Sequence, residues 1–190
     1  MNKIAIDIDN TISNTSDFFR PYAEEFNNKN VNRDCQINYD RVLPRSEEWT
    51  EAELKKYMDD VFNKEAINIP VKEDAPLYIN KIKNLGYEII ILTNRGIGEN
   101  DHTDLIIPDY LKKNNIPYDC IVTRADDKAK YLSDCEFFVD DLINNCENAL
   151  ENTNCKVIMM ASKKTEGYHN DSIYRANNWR EVYNYILENR

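Results

Sequence analysis

Apolar residues along this chain fall into short, nearly continuous runs separated by stretches with helical spacing. The runs cover residues 3–9, 87–93, 120–122, 136–140 and 156–160. They are rich in β-branched or aromatic residues, which predicts strands buried on both faces rather than half-exposed ones. Between them, Leu77, Tyr78, Ile79, Ile82 and Leu85 recur at helical spacing and close on Gly86, a C′ residue. Leu105, Ile106, Tyr110 and Leu111 do the same and stop at Asn114-Asn115, ahead of Ile116-Pro117. Strand alternating with helix predicts right-handed βαβ units and a Rossmann-like, doubly wound α/β fold on a mostly parallel sheet.

One segment breaks the alternation. Residues 14–74 carry helical patterns (Phe18, Phe19, Tyr22, Phe26; then Leu54, Tyr57, Met58, Val61, Phe62) and no convincing strand. A βα connection usually takes about two to six residues. The segment therefore reads as a small helical cap over residues 14–74, inserted after the first strand into a core formed by residues 1–13 and 75–190. It would emerge at the carboxyl end of that strand, where open α/β sheets bind ligands.

Composition narrows the function classes. The 190 residues include 34 Asp and Glu against 24 Lys and Arg, a formal charge of −10. An acidic chain is a poor partner for nucleic acid polymers or anionic lipid, whose binding needs clustered cations. Cys35, Cys120, Cys135, Cys146 and Cys155 show neither CxxC spacing nor a disulfide framework and read as reduced thiols, with Cys120 and Cys135 in the core. The chain passes from Met1-Asn2-Lys3 straight into the first strand pattern, and no run is long enough to span a membrane. A cytoplasmic protein is expected, with its oligomeric state open and a homodimer among the options. His102 and His169 lie in polar loops and read as surface residues. Neither a GxGxxG nor a Gly-Lys-Ser/Thr phosphate loop occurs.

The candidate chemistry sits where strands end. Asp7 and Asp9 close the first run, and Asp140-Asp141 close the fourth. In parallel central strands, these four carboxylates gather at one sheet edge. Two such charges about 5 Å apart repel by about 3 kcal/mol at an effective dielectric near 20. The cluster therefore calls for a cation, and oxygen-only ligands favour Mg²⁺. Thr93, followed by Asn94 and Arg95, ends the second run and could donate to a phosphoryl oxygen, while Lys128 precedes the fourth run.

Asp7-x-Asp9-x-Thr11 after an apolar strand, Thr93 after the next, Lys128 ahead of a further strand and Asp140-Asp141 at its end resemble, in order, the four motifs of the haloacid dehalogenase-like (HAD) phosphohydrolases. The insertion after the first motif resembles the C1-capped subclass. The run through Thr93-Asn94-Arg95, Thr103, residues 110–119 and Asp127-Lys128 is similar to the 5′(3′)-deoxyribonucleotidase branch and its bacterial relatives. It departs from that branch at Asn10, where Gly is common, and at Asn94-Arg95, where Ser-Pro is common.

This resemblance implies a Mg²⁺-dependent phosphomonoesterase in which Asp7 attacks phosphorus and Asp9 serves as general acid and then base, with a pKa raised by its anionic neighbours. It further implies metal ligation by the Asp7 carboxylate, the Asp9 carbonyl and one of Asp140 and Asp141, with Asp141 favoured. Thr93, Asn94 and Lys128 would bind the phosphoryl group, and Thr11 would support the loop. Lys130 is the rival to Lys128; the two lie roughly 200° apart on a helix, and the Asp-Lys pair favours Lys128.

Substrate contacts are sought in Phe18, Trp49 and Arg45 of the cap and in Arg95. Phe19, Tyr22 and Arg41 are further cap candidates, although these aromatic residues also suit the cap's own core. The expected partner is a small phosphorylated metabolite, first a nucleoside monophosphate. A sugar phosphate is the alternative, and a non-catalytic phosphate-binding protein a third reading.

Overall fold

The computed structural model describes residues 2–190. Residue 1, the first of the predicted core range, lies outside them. Strands β1 (Lys3–Ile6), β2 (Glu88–Leu92), β3 (Cys120–Val122), β4 (Cys135–Asp140), β5 (Lys156–Met160) and β6 (Ile173–Ala176) form one sheet in the order β3-β2-β1-β4-β5-β6. Every pairing is parallel. From the central β1 the chain steps outward through β2 and β3, then returns to β4 on the other side of β1 and steps outward again. This reversal leaves a crevice at the carboxyl ends of β1 and β4, the usual ligand position in such sheets.

The insertion between β1 and β2 consists of α1 (Thr15–Asn30), an irregular stretch, and α2 (Glu51–Tyr57), which continues through a π-helical segment (Met58–Phe62) into α3 (Asn63–Glu65). Thr50 and Glu53 start α2 with a reciprocal capping box. The two ends of the insertion lie side by side. Asn14 N donates to Pro70 O (2.9 Å), Lys72 N donates to Ile12 O (2.8 Å), and Ser13 pairs antiparallel with Val71. Ala23, Phe26, Val31, Cys35, Trp49 and Tyr57 form a small core of its own. Phe19, Met58, Phe62, Ala66 and Ile69 join the main core instead, which seats the insertion on the sheet.

Helices α4 (Ala75–Asn84), α5 (Ile107–Lys113), α6 (Ile143–Asn152) and α7 (Trp179–Asn189) complete the fold. Alternation along the strands explains their distribution. Ile4 and Ile6 of β1 share a cluster with Ile79 and Ile82 of α4, Leu111 of α5 and Trp179 of α7. Ala5, pointing the other way, shares one with Cys146 and Ala149 of α6. No helix among the described residues is long and apolar enough to cross a membrane.

Two local expectations change, and one strand lies outside the predicted runs. Cys120 is exposed rather than in the core, because β3 is an edge strand whose Ile121 and Val122 are only half-buried. Strand β6 lacks the apolar run of the others, since its sequence IYRA puts Arg175 at an exposed edge position. Leu105 sits in a 3₁₀ turn (Thr103–Ile106) ahead of α5 and is exposed.

Candidate active site

The first functional loop grows directly out of β1. Asp7 extends the ladder by one residue, its N–H donating to Val139 O (3.0 Å). The chain then turns tightly, with the N–H groups of Ile12 and Ser13 both donating to Ile8 O (2.9 Å each). At the turn Asn10 takes a left-handed conformation, φ 59°. Glycine does this freely, and asparagine is among the few other residues that do so routinely. Asn10 also ties the turn to α1, its Oδ1 accepting from Ser16 N (2.9 Å) and its Nδ2 donating to Ser16 Oγ (3.0 Å).

The neighbouring strand end supplies the second acidic pair. Asp7, Asp140 and Asp141 are all buried, and each offers an oxygen within 4.8 Å of the others. Lys128, in the 3₁₀ turn Lys128–Tyr131, is buried between two of them, with Nζ 2.5 Å from Asp7 Oδ1 and 2.7 Å from Asp140 Oδ2. Asp140 is further saturated by Leu142 N (2.9 Å) and by Asn145 Nδ2 (3.1 Å to each oxygen). Asp141 Oδ2, by contrast, is buried with no hydrogen-bond partner among the described residues.

Asp9 belongs to a separate ion pair. Arg95 Nε donates to Asp9 Oδ2 (3.0 Å) and Nη2 to Oδ1 (2.8 Å), a bidentate fork, while Thr15 Oγ1 donates to Oδ1 (2.6 Å). Arg95 is itself buried beneath the face of Tyr110, its guanidinium carbon 5.3 Å from the ring centroid. The turn that aims it requires Gly96, at φ 87°, where a Cβ would come within 2.6 Å of Asp104.

These environments separate the carboxylates electrostatically. Burial raises Asp7 to about 7, against the attraction of Lys128 and with further repulsion from Asp140 and Asp9. Burial likewise lifts Asp141 well above the ordinary carboxylate value, with Asp140 and Asp7 adding to it. Burial also opposes ionisation of Asp9, but Arg95 and Thr15 outweigh it and hold that carboxyl below its ordinary value. The expected upward shift at Asp9 is therefore reversed, because Arg95, just past β2, reaches across to it once β2 pairs with β1.

Comparison by sequence alone places the chain nowhere: no family model matches it, and no curated protein does. Solved structures do match, over almost the whole chain. A predicted phosphoglycolate phosphatase from Haemophilus somnus 129pt superposes with a TM-score of 0.69 at 13% identity, covering 98% of each chain. A HAD-superfamily hydrolase from Ehrlichia chaffeensis does so with a TM-score of 0.56 at 17% identity, covering 99% of this chain and 98% of that one. The chain has the HAD-hydrolase fold. A D,D-heptose 1,7-bisphosphate phosphatase of the same architecture, from B. bronchiseptica and complexed with magnesium and phosphate, gives 0.57 at 13% identity over 100% of both chains.

On this HAD fold the remaining sequence candidates divide. Thr93 is buried just past β2, its N–H donating to Val122 O (3.0 Å) and its Oγ1 accepting from Arg95 N (3.3 Å); Asn94 is exposed beside it. Lys130 points away from the cluster and pairs with Asp127 at 3.2 Å, leaving Lys128 as the lysine at the site. Thr11 is fully buried, and its carbonyl accepts from Trp179 Nε1 (3.1 Å).

The proposed substrate contacts fare differently. Trp49 packs on Phe26 and Tyr57 inside the insertion, with Nε1 donating to Asn27 (2.8 Å). Phe18 packs against Phe19 and the main core, and Arg45 is half-buried in a bridge with Asn38. Arg95 spends its fork on Asp9. None of the four lines the cavity of about 320 Å³ that opens beside Asp141. That cavity is bounded instead by Arg20, Tyr39, Lys72, Lys163 and Lys164, which the sequence reading missed. The available signal was Lys163-Lys164, a basic pair just beyond the carboxyl end of a parallel strand.

Proposed function

We propose that this protein is a Mg²⁺-dependent phosphomonoesterase that moves a phosphoryl group first to Asp7 and then to water. The observation that carries this reading is the buried Asp7–Asp140–Asp141 cluster, bridged by one lysine and left with an unpartnered oxygen on Asp141. With Asp9 included, four carboxylates face two cations, Lys128 and Arg95, so two negative charges remain uncompensated when all four are ionised. A divalent ion matches that deficit, and the all-oxygen donor set suits Mg²⁺ over zinc.

Asp7 and Asp141 would hold the ion, with the Asp9 carbonyl as a further ligand; Asp140 is already occupied by Lys128, Leu142 and Asn145. When bound, Mg²⁺ supplies charge neutralisation that lets an anionic carboxylate approach an anionic phosphate. Asp7, at the strand end, is the nucleophile, which splits one difficult displacement into two easier ones. Lys128 orients Asp7 and, with Thr93 and Asn94, faces negative charge on the transferring group. Asp9, fixed by Arg95 and Thr15, would enter the first displacement protonated and give that proton to the leaving alkoxide; the ionised form that Arg95 favours then takes a proton from the attacking water, which restores the acid.

Small phosphorylated metabolites are the substrate class, a reading supported by the modest cavity and by structural neighbours named for phosphoglycolate and heptose bisphosphate. Nucleoside monophosphates lose the support expected from Trp49 and Phe18, whose rings pack internally. The test is a screen of sugar phosphates, phosphorylated hydroxy acids and nucleoside 5′- and 3′-monophosphates with and without Mg²⁺. The expected outcome is Mg²⁺-dependent phosphate release, strongest outside the nucleotides. A preference for nucleotides would restore the deoxyribonucleotidase-like reading, and no hydrolysis of any ester would sink the phosphomonoesterase.

A further inference from the structure

The cavity beside Asp141 holds more positive charge than one phosphoryl group requires. Arg20 from α1, Lys72 where the insertion returns to the core, and Lys163 and Lys164 beyond β5 all line it. Among the described residues, none of the four forms an ion pair with a carboxylate. Most telling is Lys164, whose Nζ is buried without any hydrogen-bond partner among the described residues. A buried ammonium left unpaired is costly, and an anion within reach removes that cost.

Other features point the same way. Burial pushes both Lys72 and Lys164 below the ordinary lysine value, against the attraction of Asp141 and Asp17. Asp17 and Asp40 also line the cavity, but neither comes within ion-pair distance of these cations. Asp141, the third carboxylate there, is the proposed metal ligand, so with the ion bound the cavity carries excess positive charge. The cations come from three separate chain segments, so the cluster is not the solvated face of a single helix.

We propose that this cavity is a second anion subsite, and that the substrate is a phosphomonoester that also carries a carboxylate or a further phosphate. The inference rests on the phosphomonoesterase reading and deepens it: the ester phosphate sits at Asp7, and the second anion sits among Lys72, Lys163 and Lys164. A nucleoside monophosphate has no group to place there.

The test compares kcat/KM within matched pairs, in the presence of Mg²⁺: 3-phosphoglycerate against glycerol 3-phosphate for a carboxylate, and fructose 1,6-bisphosphate against fructose 6-phosphate for a phosphate. In at least one pair the doubly anionic member is expected to be favoured by about tenfold or more, and the pair that shows it identifies the second anion. Lys164→Met should erase most of that preference, costing the favoured member far more than its partner, while Lys164→Arg should retain it. Lys72→Met gives an independent reading should Lys164→Met fold poorly. Equal kcat/KM within both pairs, with p-nitrophenyl phosphate still hydrolysed, would overturn the subsite and leave the phosphomonoesterase standing. A preference that survives both Met substitutions would also overturn it, and hydrolysis of nothing would overturn both readings.

Discussion

Asp7→Asn is expected to lower Mg²⁺-dependent hydrolysis of p-nitrophenyl phosphate by at least about 10⁴-fold, the scale on which loss of a covalent nucleophile is felt. The amide matches the carboxylate in shape and can still accept from Lys128, so far-UV circular dichroism should not change. Stability offers a second signature in metal-free protein. Asp7 is raised to about 7 in the folded chain, so between roughly 4 and 7 the folded state binds more protons than the unfolded one. Its contribution to stability is therefore fully present below about 4 and is lost as pH rises through about 7. The Asn variant should lack that part of the slope. A variant that keeps a tenth or more of the parent activity would exclude Asp7 as the nucleophile.

Lys128→Met carries the second large effect, because among the described residues Lys128 is the one ammonium within ion-pair distance of Asp7 and Asp140. Its removal leaves two buried carboxylates without their cation. Breaking a buried pair from one side typically costs about 3–5 kcal/mol, and urea unfolding of the metal-free protein should show a loss of that order. Activity should fall by about 10²–10³-fold from the lost electrostatic support. Lys130→Met is the control: it removes an exposed pair with Asp127 and should change stability by no more than about 0.5 kcal/mol. Equal small effects from both substitutions would show that burial between Asp7 and Asp140 has little energetic meaning.

Much of this arrangement is legible in the sequence because it is local. The apolar runs specify strands buried on both faces, and a carboxylate at a strand end stays there whatever the rest of the chain does, so Asp7, Asp140 and Asp141 can be read directly. Lys128 is readable only through the family resemblance, whose Asp-Lys pair favours it over Lys130. What the sequence hides depends on distant contacts. Arg95 meets Asp9 only when β2 lies beside β1, and that contact reverses the direction in which Asp9 titrates. Trp49 has the same apolar and polar character in a cap core as in a substrate pocket, and only its packing on Phe26 and Tyr57 decides between them. Arg20, Lys72, Lys163 and Lys164 are ordinary surface cations until the insertion folds back over the sheet. The short edge strands β3 and β6 are the least regular in pattern because only one side of each is paired.

Passage of the phosphoryl group through Asp7 is read out by acid-quenched intact-protein and peptide mass spectrometry of Asp9→Asn after mixing with p-nitrophenyl phosphate and Mg²⁺. That leaving group departs without help from an acid, whereas release from the enzyme still needs the Asp9 base. The expected product is protein heavier by one phosphoryl group, mapped to Asp7. Protein that remains unmodified throughout turnover, or a phosphoryl group on any other residue, would contradict it.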